Sequence, residues 1–300
     1  MNRSKSRLLV WIVVVLCLSI LIFLDLTDGN IAELSADLGN FIVFWNESLW
    51  PPDWTMLQAQ SYSTCESSIG FFCSKAYLGM LETLKMAFVA TIFGFIGAII
   101  ISPLAANNLT PAFIYFPARL FLAFTRSLPS IIWAIIFVAV VGLGPVAGVL
   151  AMTFYTIGYL GKMQYEELEG MHREPLEAAR AMGLSHPEIV AGVVIPEAGN
   201  TLLSQLLFMF EYNVRHGTVL GLVGAGGIGY YLQYYMGFLL YAKVMAFLVV
   251  IFVVVVIIDL LSMFLRSYVN EEVDRNRPSW LTILLPPSMA RKLENKDSEK

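Results

Sequence analysis

Glu177 to Pro196 reads EAARAMGLSHPEIVAGVVIP, a polar stretch set into a chain that is otherwise apolar enough to sit in lipid. Glu174-Pro175 supplies a helix N-terminus, because proline at a first helical position loses no hydrogen bond that the helix needs. Gly183 can take the left-handed conformation that ends a helix. Ser185-His186-Pro187-Glu188 then fits a capping box, with Ser185 accepting from the Glu188 amide and the Glu188 side chain returning to the Ser185 amide. The stretch predicts two short helices that meet at Gly183 and face away from the membrane. Ala178, Ala179 and Ala181 leave one side of the first helix with little bulk, so another protein can approach closely, and a helix offered to a groove is a recurring recognition mode.

The surrounding composition sets the class. Of 300 residues, 57% are hydrophobic and 14% charged, with mean hydropathy +0.69; soluble chains carry about 25% charged residues. A polytopic, all-helical membrane protein is expected. The net charge of −4 has no basic excess of the kind that suggests nucleic acid. Of the three cysteines, Cys17 lies in the first apolar run, while Cys65 and Cys73 lie in a segment expected outside the cell, where an oxidising face permits a disulfide between them. Two free thiols are the alternative.

Working outward from the polar turn, six spans are expected. Residues 1–24 form an N-terminal anchor: Arg3, Lys5 and Arg7 precede the apolar run Leu8 to Leu24, about 26 Å long as a helix. A cleaved signal peptide is the rival, but the run is too long and no Ala-x-Ala site follows it. Residues 25–75 are polar, extracytoplasmic and rich in tryptophan (Trp45, Trp50 and Trp54), suiting an outer interface. Residues 76–268 hold the remaining spans: about Tyr77 to Ile101, Tyr115 to Val141, Val146 to Tyr165, Asn200 to Val214 and Tyr241 to Arg266. Pro129 is expected to break or kink the third. Residues 269–300 form a charged cytoplasmic tail. By this scheme fourteen Lys/Arg residues are inside, including all seven from Arg266 onward, whereas Lys75, Lys243 and Arg215 lie at or near the outer side. The bias puts both termini and the turn, within a loop at about 166–197, in the cytoplasm.

Chemistry-bearing patterns are few. Gly224-Ala225-Gly226-Gly227-Ile228-Gly229 has the letters of a dinucleotide fingerprint, but neither a βαβ setting nor an acidic residue about twenty positions on. A bent or re-entrant segment explains Gly224, Gly226, Gly227 and Gly229 better. Thr156 to Met163, TIGYLGKM, lacks the leading glycine and the Ser/Thr of a P-loop, so ATP must bind elsewhere. No catalytic constellation and no metal-ligand spacing is present. Arg126 and Arg215 are expected to make a translocation route electropositive; Glu211, four residues before Arg215 on the same helical face, is its candidate partner and would cancel part of that charge.

Glu177-Ala178-Ala179, three residues, Gly183, nine residues, then Val193-x-Ile195-Pro196 resembles the EAA loop of ABC-importer permeases, the cytoplasmic coupling helix that docks on the ATPase subunit. RSLPSIIWAIIFVAVVGLGP from Arg126 and EYNVRHGTVLGLVGAGGIGYYLQ from Glu211 resemble one branch of these permeases, the phosphonate and phosphite importers. His216-Gly217 departs from the small residues of that pattern. Within the branch, substrate rests on Trp133, the Gly142-Leu143-Gly144-Pro145 turn and the Glu211-to-Arg215 text. The resemblance implies a MetI-like fold in a prokaryotic inner or plasma membrane. It further implies a homodimer with two ATPase subunits, which hold the ATP, and an extracytoplasmic solute-binding protein. The chain itself would bind no cofactor and would not be an enzyme. Phosphonate or a related phosphorus oxyanion is the implied solute, with methionine or phosphate as alternatives; a polytopic membrane enzyme is the rival from another class.

Overall fold

The computed structural model describes residues 3–26, 39–59 and 70–269. The chain divides into two units, Met1–Pro52 and Asp53–Lys300. In the first, helix α1 (Arg3–Leu26) leaves nearly every side chain from Leu9 onward exposed. Such an apolar surface on a helix long enough to span suits contact with lipid. The turn that closes this unit stacks Trp45 on Trp50, ring centroids 6.5 Å apart and nearly parallel.

The second unit is built on helices. Ser74 caps α2 (Lys75–Ala105) by accepting from the Tyr77 amide at 3.2 Å. There follow α3 (Ala112–Ser127), α4 (Ser130–Val141), α5 (Pro145–Gly170), α6 (Arg173–Ala181), α7 (His186–Glu197), α8 (Gly199–Leu220), α9 (Ile228–Gly237) and α10 (Tyr241–Val269). Among the described residues four helices, α1, α2, α5 and α10, are long and apolar enough to cross a membrane; counting each of the bent pairs α3–α4 and α7–α8 as one span gives six. No strand occurs among the described residues. The all-helical expectation therefore holds.

The 87° bend between α3 and α4 falls at Pro129, as expected, with Leu128 extended and Pro129 as the cap of α4. Trp133 splints the break. Its indole Nε1 donates to the Thr125 carbonyl at 3.0 Å, and its ring packs edge-on against Phe124 and Phe154.

Helix α5 lies between α2 and α3 at very short range. A Cβ on Gly94 of α2 would come within 2.3 Å of Thr156, and one on Gly158 of α5 within 2.1 Å of Thr125 and 2.9 Å of the Leu122 carbonyl on α3. Small residues are what helices need to touch in lipid, where van der Waals packing replaces the hydrophobic drive. At the same level Asn213 of α8 donates to Thr91 of α2 at 2.9 Å and to Thr156 of α5 at 3.0 Å, all three residues being buried. Interhelical bonds of this kind average about 0.6 kcal/mol each, so this knot sets the register of three helices more than it adds stability.

The glycine-rich segment is a tight loop packed on its own flanks. A Cβ on Gly229 would lie 2.0 Å from the Thr218 carbonyl. Thr83 and Glu82 of α2 accept from the amides of Ile228 and Gly227 at 2.9 and 3.3 Å, and Gly144 donates to the Gly224 carbonyl at 2.9 Å. Glu82 thus turns to the loop.

Valine at Gly94 or at Gly229 is expected to cost about 1–3 kcal/mol by overpacking. A helix-bundle melt followed by circular dichroism in detergent should fall for both, while Gly192→Ala, where the added methyl meets open space, should melt like wild type. Cys73 is buried and disulfide-bonded and Cys17 is free; Cys65 lies outside the described residues. Alkylation followed by mass measurement should label one cysteine before reduction and three after it, and two or more labelled without reductant would disprove a Cys65–Cys73 bond.

Candidate functional site

The polar turn is built on local hydrogen bonds. Helix α6 ends in a Schellman motif: Leu184 donates to the Ala179 carbonyl at 3.3 Å and Gly183 to that of Arg180 at 3.0 Å, with Gly183 at φ +76°. Directly after it Ser185 opens α7. The Glu188 carboxylate accepts from the Ser185 amide at 2.7 Å and hydroxyl at 2.6 Å, completing the capping box. The hydroxyl first, then the amide, hold this carboxyl below the ordinary glutamate range. Its contribution is present at neutral pH and fades as pH falls through that lowered value.

Below the turn, Leu176 and Ala179 point one way, three apart on α6, into a buried cluster with Leu168, Ile189, Val194 and Ala198. Glu177, Ala178, Ala181, Met182 and Gly183 point the other way and are exposed. Ala179, expected on the offered face, belongs to the core: at 0% exposure it lets α6 sit close on the cluster. Pro196 is exposed near the end of α7. A second set of contacts fastens this layer to the spans. Arg119 of α3 pairs with Glu169 at the end of α5 and donates to the Ala105 carbonyl at 2.8 Å, its guanidinium stacked 4.6 Å from the Tyr165 ring centre. Glu169 also accepts from the Asn107 amide at 2.6 Å, and Arg180 donates to the Asn108 carbonyl.

The residues expected along a translocation route do not lie together, and α8 alone presents three faces. Glu211 and Arg215 face α10: Arg215 pairs with Glu211 and, at 2.8 Å, with Asp259, and Arg266 pairs with Glu211 at 2.9 Å. One carboxylate cannot hold guanidiniums on opposite sides of a membrane, so Arg215 and Arg266, expected on opposite sides, lie together. Two arginines and two carboxylates cancel; Arg215 adds no net positive charge there. Asn213 faces the knot. Tyr212 and His216 face a cavity of about 350 Å³ at the α3–α4 break, where Arg126 and Pro129 also lie. Gly224, Gly226 and Gly227 line a different hollow, with Glu82 and Pro145, and Gly229 is buried in the loop. Among the described residues no group of three His, Cys, Asp or Glu is placed to hold a metal.

Residues 94–275 match the family described as the binding-protein-dependent transport system inner membrane component. The chain belongs to this family. It is thus a permease subunit of the ABC-importer type and not an enzyme, the ATPase of such systems being a separate chain. It is 37% identical over 206 residues, 68% of this chain and 72% of the other, to a putative phosphite transport system permease of Stutzerimonas stutzeri. It is also 37% identical over 187 residues, 62% of its length, to the phosphate-import permease PhnE of Mycolicibacterium smegmatis, of which it spans 35%. Among solved structures, an inward-facing MetNI methionine ABC transporter is similar at 27% identity with a TM-score of 0.57, covering 65% of this chain and 95% of that one.

Sequence reasoning overlooks what makes the permease's cavity polar. Tyr155 and Tyr212 stack at 5.8 Å and 9°, Tyr212 donating to the Tyr155 hydroxyl at 3.1 Å, and His216 lies 3.7 Å from Tyr212. The signal is the four-residue spacing of Tyr155 with Tyr159 and of Tyr212 with His216; these aromatics read equally well as bundle contacts. Asp259 and Arg266 likewise read as isolated charges along the sequence. Replacing Glu211 by alanine strands Arg266 and leaves Arg215 with Asp259 alone. Removing one partner of a buried charged bond costs about 1–3 kcal/mol or more, and the 44% exposure of the Arg215 side chain argues for the lower end. Thermal melts in detergent should place Glu211→Ala below Glu211→Gln, and both below wild type.

Proposed function

We propose that this permease forms the translocation pathway for phosphonate or a related small phosphorus oxyanion, driven by ATP hydrolysis on a separate subunit. It works as a homodimer with two ATPase subunits and receives solute from an extracytoplasmic binding protein. Its termini and the α6–α7 turn lie in the cytoplasm. The observation that carries the solute class is the 37% identity, over 62% and 68% of this chain, to permeases named for phosphate and phosphite. Further support is the turn itself: a short helix fixed from beneath by the buried cluster and by Arg180 leaves Glu177, Ala178, Ala181 and Met182 outward as a docking edge. The excess of Lys and Arg in the loops assigned inside supports the orientation. In this scheme ATP closes the ATPase pair, the α6–α7 turns carry the motion, and the spans switch from inward-open to outward-open.

Methionine is the second reading, favoured by the likeness to the methionine transporter structure at 27% identity. Uptake by vesicles containing the permease, its ATPase and its binding protein separates the two: radiolabelled methylphosphonate or phosphite should accumulate in an ATP-dependent way and methionine should not. Gly183→Pro abolishes the left-handed turn and a backbone donor, and Glu177→Lys reverses a charge on the docking edge. Each variant should insert normally yet lower uptake per ATP hydrolysed by at least about tenfold. Normal uptake with the ATPase still copurifying would remove the docking assignment.

A further inference from the structure

The cavity at the α3–α4 break contains a cation without a counter-charge. Arg119, Lys162, Arg215, Lys243 and Arg266 each have a carboxylate within 4.0 Å, whereas Arg126 has none among the described residues. Nor do the carbonyls at the end of α3 require it. Leu122, Phe124 and Thr125 already accept from Thr125 Oγ1 at 3.1 Å, Ser127 Oγ at 2.7 Å and Trp133 Nε1 at 3.0 Å. A guanidinium midway along a broken span is costly unless it meets water or an anion. Among the described residues no carboxylate lines the cavity beside it.

The remaining walls supply further donors. Tyr155 accepts from Tyr212, so its own hydroxyl hydrogen is unspent. His216 Nδ1 lies 3.1 Å from the Tyr212 carbonyl; a carbonyl only accepts, so Nδ1 carries the hydrogen, and Nε2 of the neutral ring is an acceptor that suits a protonated oxygen of the ligand. The 12-residue helix α4 starts at this wall, and its dipole adds partial positive charge at Ser130. At about 350 Å³ the cavity admits an ion of five or six heavy atoms with several waters, each of which takes about 30 Å³ in the liquid.

We propose that this cavity, walled by Arg126, Tyr155, Tyr212 and His216, binds a tetrahedral phosphorus oxyanion within the permease itself. Arg126 binds two of its oxygens side by side, as guanidinium does with phosphate, and Tyr155 donates to a third. The choice of phosphorus rests on the solute class proposed above; the unpaired cation and its donors do not. The same chemistry is carried by a free phosphonate and by a phospholipid headgroup.

The test is calorimetric titration of the purified full-length permease, without ATPase or binding protein, with methylphosphonate and with phosphite. In maltoside detergent free of phospholipid, saturable binding is expected. Arg126→Gln should weaken it by about tenfold or more and Tyr155→Phe by about threefold, with Arg126→Lys between Arg126→Gln and wild type. Circular dichroism and gel filtration check that each variant is folded. Repeating the titration in nanodiscs of phosphatidylglycerol distinguishes the sources: unchanged affinity assigns the site to the solute, and competitive loss assigns it to the lipid phosphate. Absence of saturable binding by wild type in detergent, or wild-type affinity in folded Arg126→Gln and Tyr155→Phe, overturns the site. If vesicle uptake of methylphosphonate persists without such binding, this site fails and the proposed function stands; with binding but no uptake of any phosphorus oxyanion, the site stands and the proposed function fails.

Discussion

The contact of α5 with α2 on one side and α3 on the other leaves no room for a methyl group at Gly94 or Gly158, and the rest of the bundle is arranged around it. In water such helices would be driven together by burying apolar surface. In lipid the tails are as apolar as the side chains, so the gain comes from atoms in direct contact and from polar groups that find each other. Both occur at the same level here. Thr156 of α5 fits over Gly94 and also bonds Asn213 of α8, so the position of one helix against its neighbour sets that of the third.

Helix α8 carries this order into the polar regions of the molecule. Its residues 211 to 216 form charge pairs toward α10, a hydrogen-bonded knot toward α2 and α5, and an aromatic stack toward the cavity. The charged side is internally balanced, Glu211 and Asp259 against Arg215 and Arg266. Arg126 stands apart from that balance. The contrast separates residues whose charge is consumed in holding helices together from one whose charge is available.

Much of this is legible in the sequence, for identifiable reasons. The α6–α7 turn depends on contacts between residues no more than five apart, so Gly183, Ser185 and Glu188 can be assigned from spacing alone. Pro129 removes a backbone donor and disfavours a helical residue before it, so a break there can be expected from the sequence, although Pro103 and Pro117 sit within continuous helices; the spans follow from apolar length. Long-range partnerships are not legible. Nothing local tells Glu211 that Arg266 lies beside it, and for that reason the sequence alone puts Arg215 and Arg266 apart. Trp133, part of the text by which the sequence resembles the phosphonate and phosphite branch, splints the α3–α4 break, because its indole reaches back eight residues to Thr125; that role is not legible from the sequence. Ala179 reads as part of an open face because three neighbouring alanines look alike until the helix is set on its cluster; a helical step of 100° then sends one inward and its neighbours out.

At the α6–α7 turn, shape and surface chemistry are carried by different atoms. The path of the chain from Ala179 to Glu188 is held by main-chain bonds, one left-handed glycine and one carboxylate, while the side chains at 177, 178, 181 and 182 take no part in holding it. Substitutions at those four positions can therefore accumulate without altering the contour of the turn. Over many generations its surface chemistry can change by altering side chains alone, whereas any drift at Gly183 or Ser185 is felt first as a loss of form.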